Sequence, residues 1–341
     1  MIRGDDVKNE KQFFSKFSGS ILLFLLLMIL AFSPSYSADK IRRFVHAGLL
    51  YPGEPQVIRE TIERLYKDQK NDTKKGKLVA CVVPHSGWGL CGELVARSFA
   101  EINENQFDNV VILAPSHYVV FSGCSIPSVQ GFATPLGVVR VDFEKLEQLS
   151  VSPYFDMYSI QRDTRSRSPR IHEEEYSIEV ILPFLQYKLK KFAIVPVLVG
   201  DFKDSSGKES QIVYSGVVNS LRKAIKEKTL LVLSTDLTPW GATFNYTPGS
   251  VDDMLSTQRK LDEELVNLIV RKDLGGLQEF FERTKAPVCG KNAIYLFVAL
   301  LPKNAEGIVL GYEQSGSKMN LKGTSLGFAS VNFYVADVMG E

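Results

Sequence analysis

Short apolar runs alternate with amphipathic segments along most of the chain, and these two patterns predict strands and helices in turn. The apolar runs have the length of buried strands and end in turns rich in glycine, proline or serine. They predict strands at residues 78–83, 109–113, 192–199, 230–234, 307–312 and 329–335, and a hairpin-like excursion at residues 122–141. Helical spacing predicts helices at residues 92–102, 175–189, 209–228, 251–271, 277–283 and 290–301. Continuous apolar strands that alternate with helices indicate an α/β fold, with a mostly parallel central sheet and helices on both faces.

A single α/β domain accounts for residues 38–341. No internal repeat or low-complexity segment divides this part of the chain, and the polar loop at residues 161–170 is interpreted as belonging to the same domain. The helix predicted at residues 175–189 contains Pro183, which lacks an amide hydrogen and is expected to kink the helix.

The first 37 residues have a different pattern. Residues 20–32 (SILLFLLLMILAF) form an uncharged apolar run, with lysines before it and the small residues Ser35 and Ser37 after it. A basic region, an apolar region and small residues two positions apart are typical of a signal peptide, here cleaved after Ser37. The run is shorter than the roughly 20 residues of a membrane span, and an uncleaved anchor is the alternative. Both interpretations predict an exported protein, periplasmic or extracellular, that meets a membrane only through an uncleaved N-terminal segment.

Composition and charge exclude some classes of partner and motif. The 341 residues are 45% hydrophobic and 23% charged, with a formal net charge of +1. Nucleic acid binding requires concentrated Lys and Arg, so this balance argues against a nucleic acid partner. Cys81 and Cys124 lie in apolar runs and are typical of small core residues, whereas Cys91 and Cys289 each precede a glycine at the start of a helical pattern. Without a Cys-x-x-Cys pair, a zinc ribbon and a thioredoxin-type motif are excluded.

Candidate chemistry lies at the ends of predicted strands. His85 follows one strand in VVPHSGWG, His117 follows the next in LAPSHYV, and Asp236 follows a third in LSTDLTPWG. In open α/β sheets, ligands bind in the crevice at the carboxyl ends of the strands, where such residues meet. Imidazole and carboxylate suit iron, zinc or copper, and a thiolate favours softer or redox-active metals. The sequence therefore predicts a metal site at this edge of the sheet.

Each of these residues also has a structural interpretation. A histidine in a turn is commonly a hydrogen-bonded structural group, and Asp236 fits a helix cap or a turn. Cys289 fits a buried thiol, and Trp88 fits either a wall of the site or a packed core aromatic. The convergence of two histidines and an aspartate on three strand ends favours a site.

Seven segments and their order resemble the MEMO family (AmmeMemoRadiSam system protein B-like). They are VVPHSGWGLCGE, ILAPSHYVVFSGCSI, FATPLGVVRVD, EEEYSIEVILPFLQ, FAIVPVLVGD, LSTDLTPWG and APVCGKNAI, and the early RRFVHAGLLYPGEP is similar to the family's opening segment. The resemblance runs from about residue 41 to residue 338. It implies a fold similar to the catalytic subunit of class III extradiol dioxygenases, with one redox metal, iron or copper, held by two His and one Cys. Carried over, these ligands are His85, His117 and Cys289.

The same resemblance implies further site residues and also fails at two positions. It implies that Asp236 lies beside the metal and that Glu175 and Glu179 belong to the family's EHSxE segment. Tyr176 stands where that segment usually has a histidine, and Pro239 replaces the histidine of the family's SDxxHWG segment.

These departures bear on activity, because ring-opening oxygenation needs proton-transfer groups beside a metal with open positions. Tyr176 is able to donate a hydrogen bond, and Pro239 has no such group. His172 would compensate if it lies one helical turn from Tyr176 on the same face, and a surface histidine is the alternative. The sequence thus predicts a non-haem, metal-dependent, dioxygenase-like oxidoreductase acting on a small aromatic substrate, or a catalytically degenerate protein that binds a metal or a peptide. Iron or copper is the expected metal, and zinc accepts the same ligands. The predicted catalytic residues are Asp236, Tyr176, His172 and Glu175.

Overall fold

A mixed sheet, with twelve strands among the residues that the structure describes, forms the framework of the protein. The structure, a computed structural model, describes residues 41–67, 69, 76–158 and 171–336, and the predicted signal segment and the loop at residues 161–170 lie outside them. The strands are β1 (Ile41–Arg42), β2 (Lys77–Val83), β3 (Asn109–Pro115), β4 (Cys124–Pro127), β5 (Gly131–Thr134), β6 (Gly137–Val141), β7 (Phe155–Tyr158), β8 (Ala193–Val199), β9 (Thr229–Ser234), β10 (Pro239–Gly241), β11 (Glu306–Gln314) and β12 (Thr324–Val335). The helices are α1 (Pro55–Lys67), α2 (Trp88–Phe99), α3 (Phe143–Ser150), α4 (Ile171–Glu174), α5 (Leu182–Lys188), α6 (Gln211–Ala224), α7 (Met254–Arg271), α8 (Leu274–Thr284), α9 (Lys291–Leu300) and α10 (Ser315–Lys318).

The centre of the sheet is parallel. Strands β8, β3, β9 and β2 lie side by side in that order, and each pairs with its neighbour in parallel. Almost all of their residues are buried and apolar, as expected for strands covered on both faces. The predicted α/β class is confirmed, and the carboxyl ends of β2, β3 and β9 lie at one edge, where the predicted ligands follow.

Antiparallel strands extend this parallel centre. Strand β12 pairs with β2, and β11 and β10 both pair with β12. On the other side, the β5–β6 hairpin joins the sheet through β6 and β8, which confirms the predicted hairpin-like excursion. These strands extend the parallel centre on both sides.

The helices pack in two groups against the sheet. Helix α2 contacts β2 and β12 and also packs against α1 and α5. Helix α9 contacts β3 and β9 and also packs against α6 and α8. Within the residues that the structure describes, no helix is both long and apolar enough to cross a membrane.

The prediction of one long helix at residues 175–189 is wrong. The chain instead leaves α4 at Glu174, forms a 3₁₀ turn at Glu179–Ile181 and enters α5 at Leu182. The Glu175 carboxylate accepts hydrogen bonds from the amides of Tyr176 and Ser177, which favours a local turn over a helix. Pro183 lies in the first turn of α5, where its missing amide hydrogen costs nothing, so it begins a helix rather than kinking one.

A buried polar cluster holds the segment that follows β9. The Asp262 carboxylate accepts hydrogen bonds from the Thr238 amide at 2.9 Å and from the Tyr312 hydroxyl at 2.8 Å. Gln258 Nε2 donates to the Thr238 carbonyl at 2.6 Å. Pro239 comes next and opens β10, so this residue is part of a strand pairing with β12. The cluster therefore fixes the chain just beyond Asp236.

Candidate metal centre

The structure brings His85, His117 and Cys289 together. His85 lies two residues beyond the end of β2, His117 two residues beyond β3, and Cys289 two residues before α9. One ligand atom from each residue lies within 4.8 Å of the other two, and His85 Nε2 is 3.4 Å from Cys289 Sγ. Residues more than 200 positions apart in the chain thus meet at one point.

The Ser234 hydroxyl fixes which ring nitrogen of His85 faces His117 and Cys289. The Ser234 hydroxyl donates its hydrogen to the Ser177 carbonyl at 2.6 Å. The same oxygen lies 3.0 Å from His85 Nδ1, and it accepts the Nδ1 hydrogen because its own hydrogen is already used. In the neutral ring, His85 Nε2 is therefore the nitrogen with a free lone pair, and it lies 3.4 Å from Cys289 Sγ.

Asp236 holds the turn that carries His85. One carboxylate oxygen accepts from the His85 amide at 2.9 Å, and the other accepts from the Ser86 hydroxyl at 2.5 Å. Burial alone disfavours a charged His85, but the negative charges of Asp236 and Cys289 outweigh it and raise the His85 pKa. Asp236 thus lies beside the site, as expected, and its hydrogen bonds orient the His85 turn.

Glu175 plays the corresponding part for His117. Its carboxylate lies 2.9 Å from His117 Nδ1 and accepts from the His117 amide at 2.7 Å. The amides of Tyr176 and Ser177 donate to it at 3.0 Å each. Burial opposes its charge, yet these hydrogen bonds and the His117 ring lower the Glu175 pKa to about 2. Glu175 is therefore an ionised positioning group. Because it holds His117 at Nδ1, the other ring nitrogen, Nε2, faces His85 and Cys289.

Close backbone packing places Cys289. A Cβ atom on Gly290 would lie 2.2 Å from Thr235 Oγ1, so only glycine allows this loop to pack against the end of β9. Cys289 has exposed surface, while its Sγ lies within 4.8 Å of a ring nitrogen of each histidine. Desolvation on its own raises a thiol pKa, but the neighbouring His85 and His117 rings outweigh it and lower the Cys289 pKa to about 6. Hydrogen bonds to Cys289 and Glu175 outweigh burial at His117 as well, and raise its pKa to about 10.

This donor set fits a single transition-metal ion. Imidazole nitrogen and thiolate sulfur bind such ions at about 2.0–2.3 Å, which places neighbouring ligand atoms roughly 3.3–3.8 Å apart in a tetrahedral site. The separation of 3.4 Å between His85 Nε2 and Cys289 Sγ lies in that range. Iron, copper and zinc all accept two imidazoles and a thiolate, and three protein ligands leave a coordination position for another molecule.

Tyr176 covers the two imidazoles. Its ring stacks on His117, with centroids 4.5 Å apart and planes at 18°, and it meets His85 edge-on at 5.8 Å. His46 and Tyr118 meet the Tyr176 ring edge-to-face, with ring centroids 5.6 Å and 6.3 Å away. Burial and nearby acidic groups raise the Tyr176 pKa, so the phenol stays protonated and is able to donate a hydrogen bond.

His172 lies apart from the candidate ligands. Its Nε2 is hydrogen-bonded to the Ser125 hydroxyl at 2.9 Å, and burial and the Arg42 charge lower its pKa to about 3. Helix α4 ends at Glu174, so His172 and Tyr176 do not share a helical face. Among the described contacts, none joins His172 to His85, His117 or Cys289. The helical geometry that the sequence suggested for His172 is therefore not found, and the residue is buried rather than on the surface.

Two other residues singled out in the sequence, Glu179 and Trp88, make an ion pair and core packing contacts respectively. Glu179 forms a buried ion pair with Arg42 and accepts a hydrogen bond from Tyr51 at 2.9 Å. Trp88 packs between Tyr51 and Phe184, with ring centroids 5.4 Å and 4.4 Å away. Trp88 is thus a core aromatic.

Sequence reasoning missed several residues around the site. Ser234 is the last residue of β9, and its position at a strand end was the signal that could have identified it. Thr235 and Ser177 adjoin predicted site residues but have side chains common in any turn. His46 and Arg42 lie about 130 residues before the segment they contact, and no local pattern links the two.

The family profile and the curated relatives agree with the family resemblance. The profile of the family described as Memo-like protein matches residues 42–332. Protein MEMO1 of Homo sapiens is 26% identical over 301 residues, which are 85% of this chain and 96% of that protein. Protein memo-1 homolog of Caenorhabditis elegans is 27% identical over 265 residues, 76% of this chain and 71% of that protein. The crystal structure of an uncharacterized Escherichia coli K12 protein aligns with a TM-score of 0.45 and 10% identity, over 75% of this chain and 99% of that one.

The lowered thiol pKa predicts selective reactivity of the metal-free protein. Iodoacetamide should label Cys289 with a pH midpoint near 6, because the thiolate persists below the ordinary thiol range. Cys81, Cys91 and Cys124 are buried and should stay unlabelled in the folded state. Metal loading should protect Cys289. Mass spectrometry of labelled peptides measures both effects, and a midpoint above 8 or equal labelling with and without metal would contradict this placement of Cys289.

Proposed function

The chain belongs to the Memo-like protein family, and from this we propose that it binds one redox-active metal ion, iron or copper, through His85, His117 and Cys289. The observation that carries the proposal is the separation of 3.4 Å between His85 Nε2 and Cys289 Sγ, with each histidine held from behind by a hydrogen bond at Nδ1. Such outer partners orient metal-binding imidazoles and fix their tautomers. Iron and copper are preferred over zinc because the family resemblance implies a redox metal; the two imidazoles and the thiolate accept all three metals.

The residues around the ligands suit metal binding better than rapid proton transfer. A bound iron or copper ion would supply Lewis acidity and one-electron redox chemistry. The Glu175 and Asp236 carboxylates are both already engaged in hydrogen bonds. Tyr176 lies over the imidazoles with a protonated phenol, and Pro239 contributes no titratable group. Binding of the metal is therefore the function that the geometry supports best.

Elemental analysis of the purified protein tests metal binding. After anaerobic reconstitution with iron(II) or copper(I), we expect close to one metal ion per chain. His85→Ala, His117→Ala and Cys289→Ala should each lose most of it, since each removes one of three ligands. Cys124→Ala removes a buried cysteine of β4 away from these ligands and serves as the control. Wild-type protein that takes up no transition metal would refute the proposal.

Dioxygenase-like turnover of a small aromatic molecule is the second candidate function. It is favoured by the aromatic wall that Tyr176, Tyr118 and His46 form beside the candidate ligands, since planar aromatic molecules stack on such surfaces. It is opposed by the two positions at which the family's histidines are replaced. A catalytically degenerate protein that uses the wall to hold an aromatic ligand or peptide side chain is the alternative.

Oxygen uptake with catechol-like and hydroxyindole-like substrates separates these alternatives. We expect little uptake by the iron-loaded wild type, because Pro239 is not able to relay a proton and Tyr176 stays protonated. The Tyr176→His, Pro239→His double variant should gain at least tenfold in rate, and Tyr176→Phe, which keeps the ring but adds no base, should not. High wild-type activity would show that those histidines are unnecessary here.

We also propose that the protein is exported, on the basis of the apolar run at residues 20–32 and the small residues that follow it. N-terminal sequencing of the chain from its native source should give Ala38 as the first residue. A chain that keeps its initial methionine and sediments with membranes would support an anchor instead, and an intact chain in the soluble cytoplasmic fraction would contradict export.

A further inference from the structure

The first described residues form a strap, residues 41–51, that lies against the segment carrying Glu175 and Tyr176. Arg42 is its main anchor. The Arg42 side chain is fully buried, its Nε donates to the His172 carbonyl at 2.9 Å, and its Nη2 donates to the carbonyls of Glu173 at 3.0 Å and Glu175 at 2.9 Å. Nη1 forms the ion pair with Glu179. One guanidinium thus binds backbone carbonyls in α4 and just beyond Glu174, where the chain is no longer helical.

The chemistry of arginine suits this position. The carbonyls at the end of a helix have no partners within the helix, and α4 has only four residues in which to satisfy them. A planar guanidinium has five donors in a fixed arrangement, whereas a lysine ammonium has three donors on a flexible stem. The buried charge of Arg42 is balanced by Glu179, whose side chain is also fully buried.

Glu179 forms hydrogen bonds with the rest of the strap. Its carboxylate accepts hydrogen bonds from the amides of Val45 at 3.1 Å and His46 at 2.9 Å, and from the Tyr51 hydroxyl at 2.9 Å. His46 Nε2 is hydrogen-bonded to the Glu174 carbonyl at 2.8 Å, and its ring contacts Tyr176. The strap therefore contacts the turn at residues 174–176 at the Glu174 carbonyl, the Glu175 carbonyl and the Tyr176 ring.

This turn is what places His117. The Glu175 carbonyl is held by Arg42, while the Glu175 carboxylate is hydrogen-bonded to the amide and to Nδ1 of His117. An unbroken series of hydrogen bonds therefore connects Arg42 with a candidate metal ligand 75 residues further along the chain.

We propose that Arg42 is a positioning residue of the metal centre, and that the strap fixes the Glu175–His117 pair in the geometry that binds the ion. The inference rests on the proposed metal-binding function. Loss of the Arg42 contacts lets the turn at residues 174–176 move, so the His117 ring is no longer held with Nε2 facing His85 and Cys289. Changes to hydrogen-bonding partners behind a metal ligand typically weaken metal binding by 10- to 100-fold.

The test compares Arg42→Lys with Arg97→Lys. Arg97 also donates to a backbone carbonyl, that of Leu310 at 2.9 Å, but it lies on α2 away from the strap. Cobalt(II), titrated anaerobically, is the probe, because its thiolate charge-transfer and ligand-field bands report affinity and geometry together. Arg42→Lys should bind cobalt(II) at least tenfold more weakly than wild type and show altered ligand-field bands, whereas Arg97→Lys should match wild type in both.

A second measurement needs no metal. Residue-resolved amide hydrogen exchange of the metal-free protein follows the His117 and Ser177 amides, which donate to Glu175. Both should exchange at least tenfold faster in Arg42→Lys and at the wild-type rate in Arg97→Lys. Equal cobalt(II) affinity and equal exchange in Arg42→Lys and wild type would overturn the inference about Arg42. Wild-type protein that binds no cobalt(II) while the exchange difference persists would refute the metal site and leave the positioning role of Arg42 intact.

Tyr51→Phe provides the same comparison if Arg42→Lys does not fold. This variant removes only the hydroxyl that donates to Glu179 and keeps the ring that packs on Trp88. Faster exchange at Ser177 and at least threefold weaker cobalt(II) binding support the proposal, and wild-type values for both would overturn it.

Discussion

The hydrogen bonds that converge on the Glu175 carboxylate are the contacts on which the candidate metal centre depends. The carboxylate is buried and ionised, so it needs several donors to offset the free energy of desolvation. His117 supplies two of these donors, and the turn after Glu175 supplies the others. Removing the partner of a buried charge is costly, and this cost keeps the turn, the carboxylate and the imidazole in one arrangement before any metal arrives. Asp236 applies the same constraint to the turn that carries His85, and the Ser234 hydroxyl sets the tautomer of its ring.

The parallel centre of the fold and the position of the site could be predicted from local sequence patterns. The four central strands β2, β3, β8 and β9 were predicted to within two residues at each end, because their apolar runs are continuous and end at turn-forming residues. Since parallel strands end at a common edge, the residues that follow them were expected to meet, and His85 and His117 do meet there. Cys289 lies before a helix rather than after a strand, and the family resemblance was what identified it.

The details that tertiary contacts decide could not be predicted in this way. Apolar spacing at residues 175–189 resembles that of a helix, yet the Glu175 side chain competes for the amides and turns the chain. Strand β1 has two residues, too few for any periodic pattern, although Arg42 within it is the anchor of the strap. The catalytic roles expected for Glu175 and Asp236 stay predictions, and in the structure the hydrogen bonds of these residues orient His117 and His85. A sequence motif identifies which residues matter near a site but does not distinguish a proton carrier from a residue that positions a ligand.

The arrangement of the candidate metal centre suits the proposed metal binding, with an aromatic ring over the imidazoles and both nearby carboxylates engaged in hydrogen bonds. X-ray absorption spectroscopy at the edge of the bound iron or copper tests this account most directly, because it counts ligands by element. We predict one sulfur scatterer and two imidazole ligands in wild-type protein, with the sulfur scatterer absent in Cys289→Ser. A metal shell made only of oxygen and nitrogen in wild-type protein, unchanged in Cys289→Ser, would contradict a metal centre built from His85, His117 and Cys289.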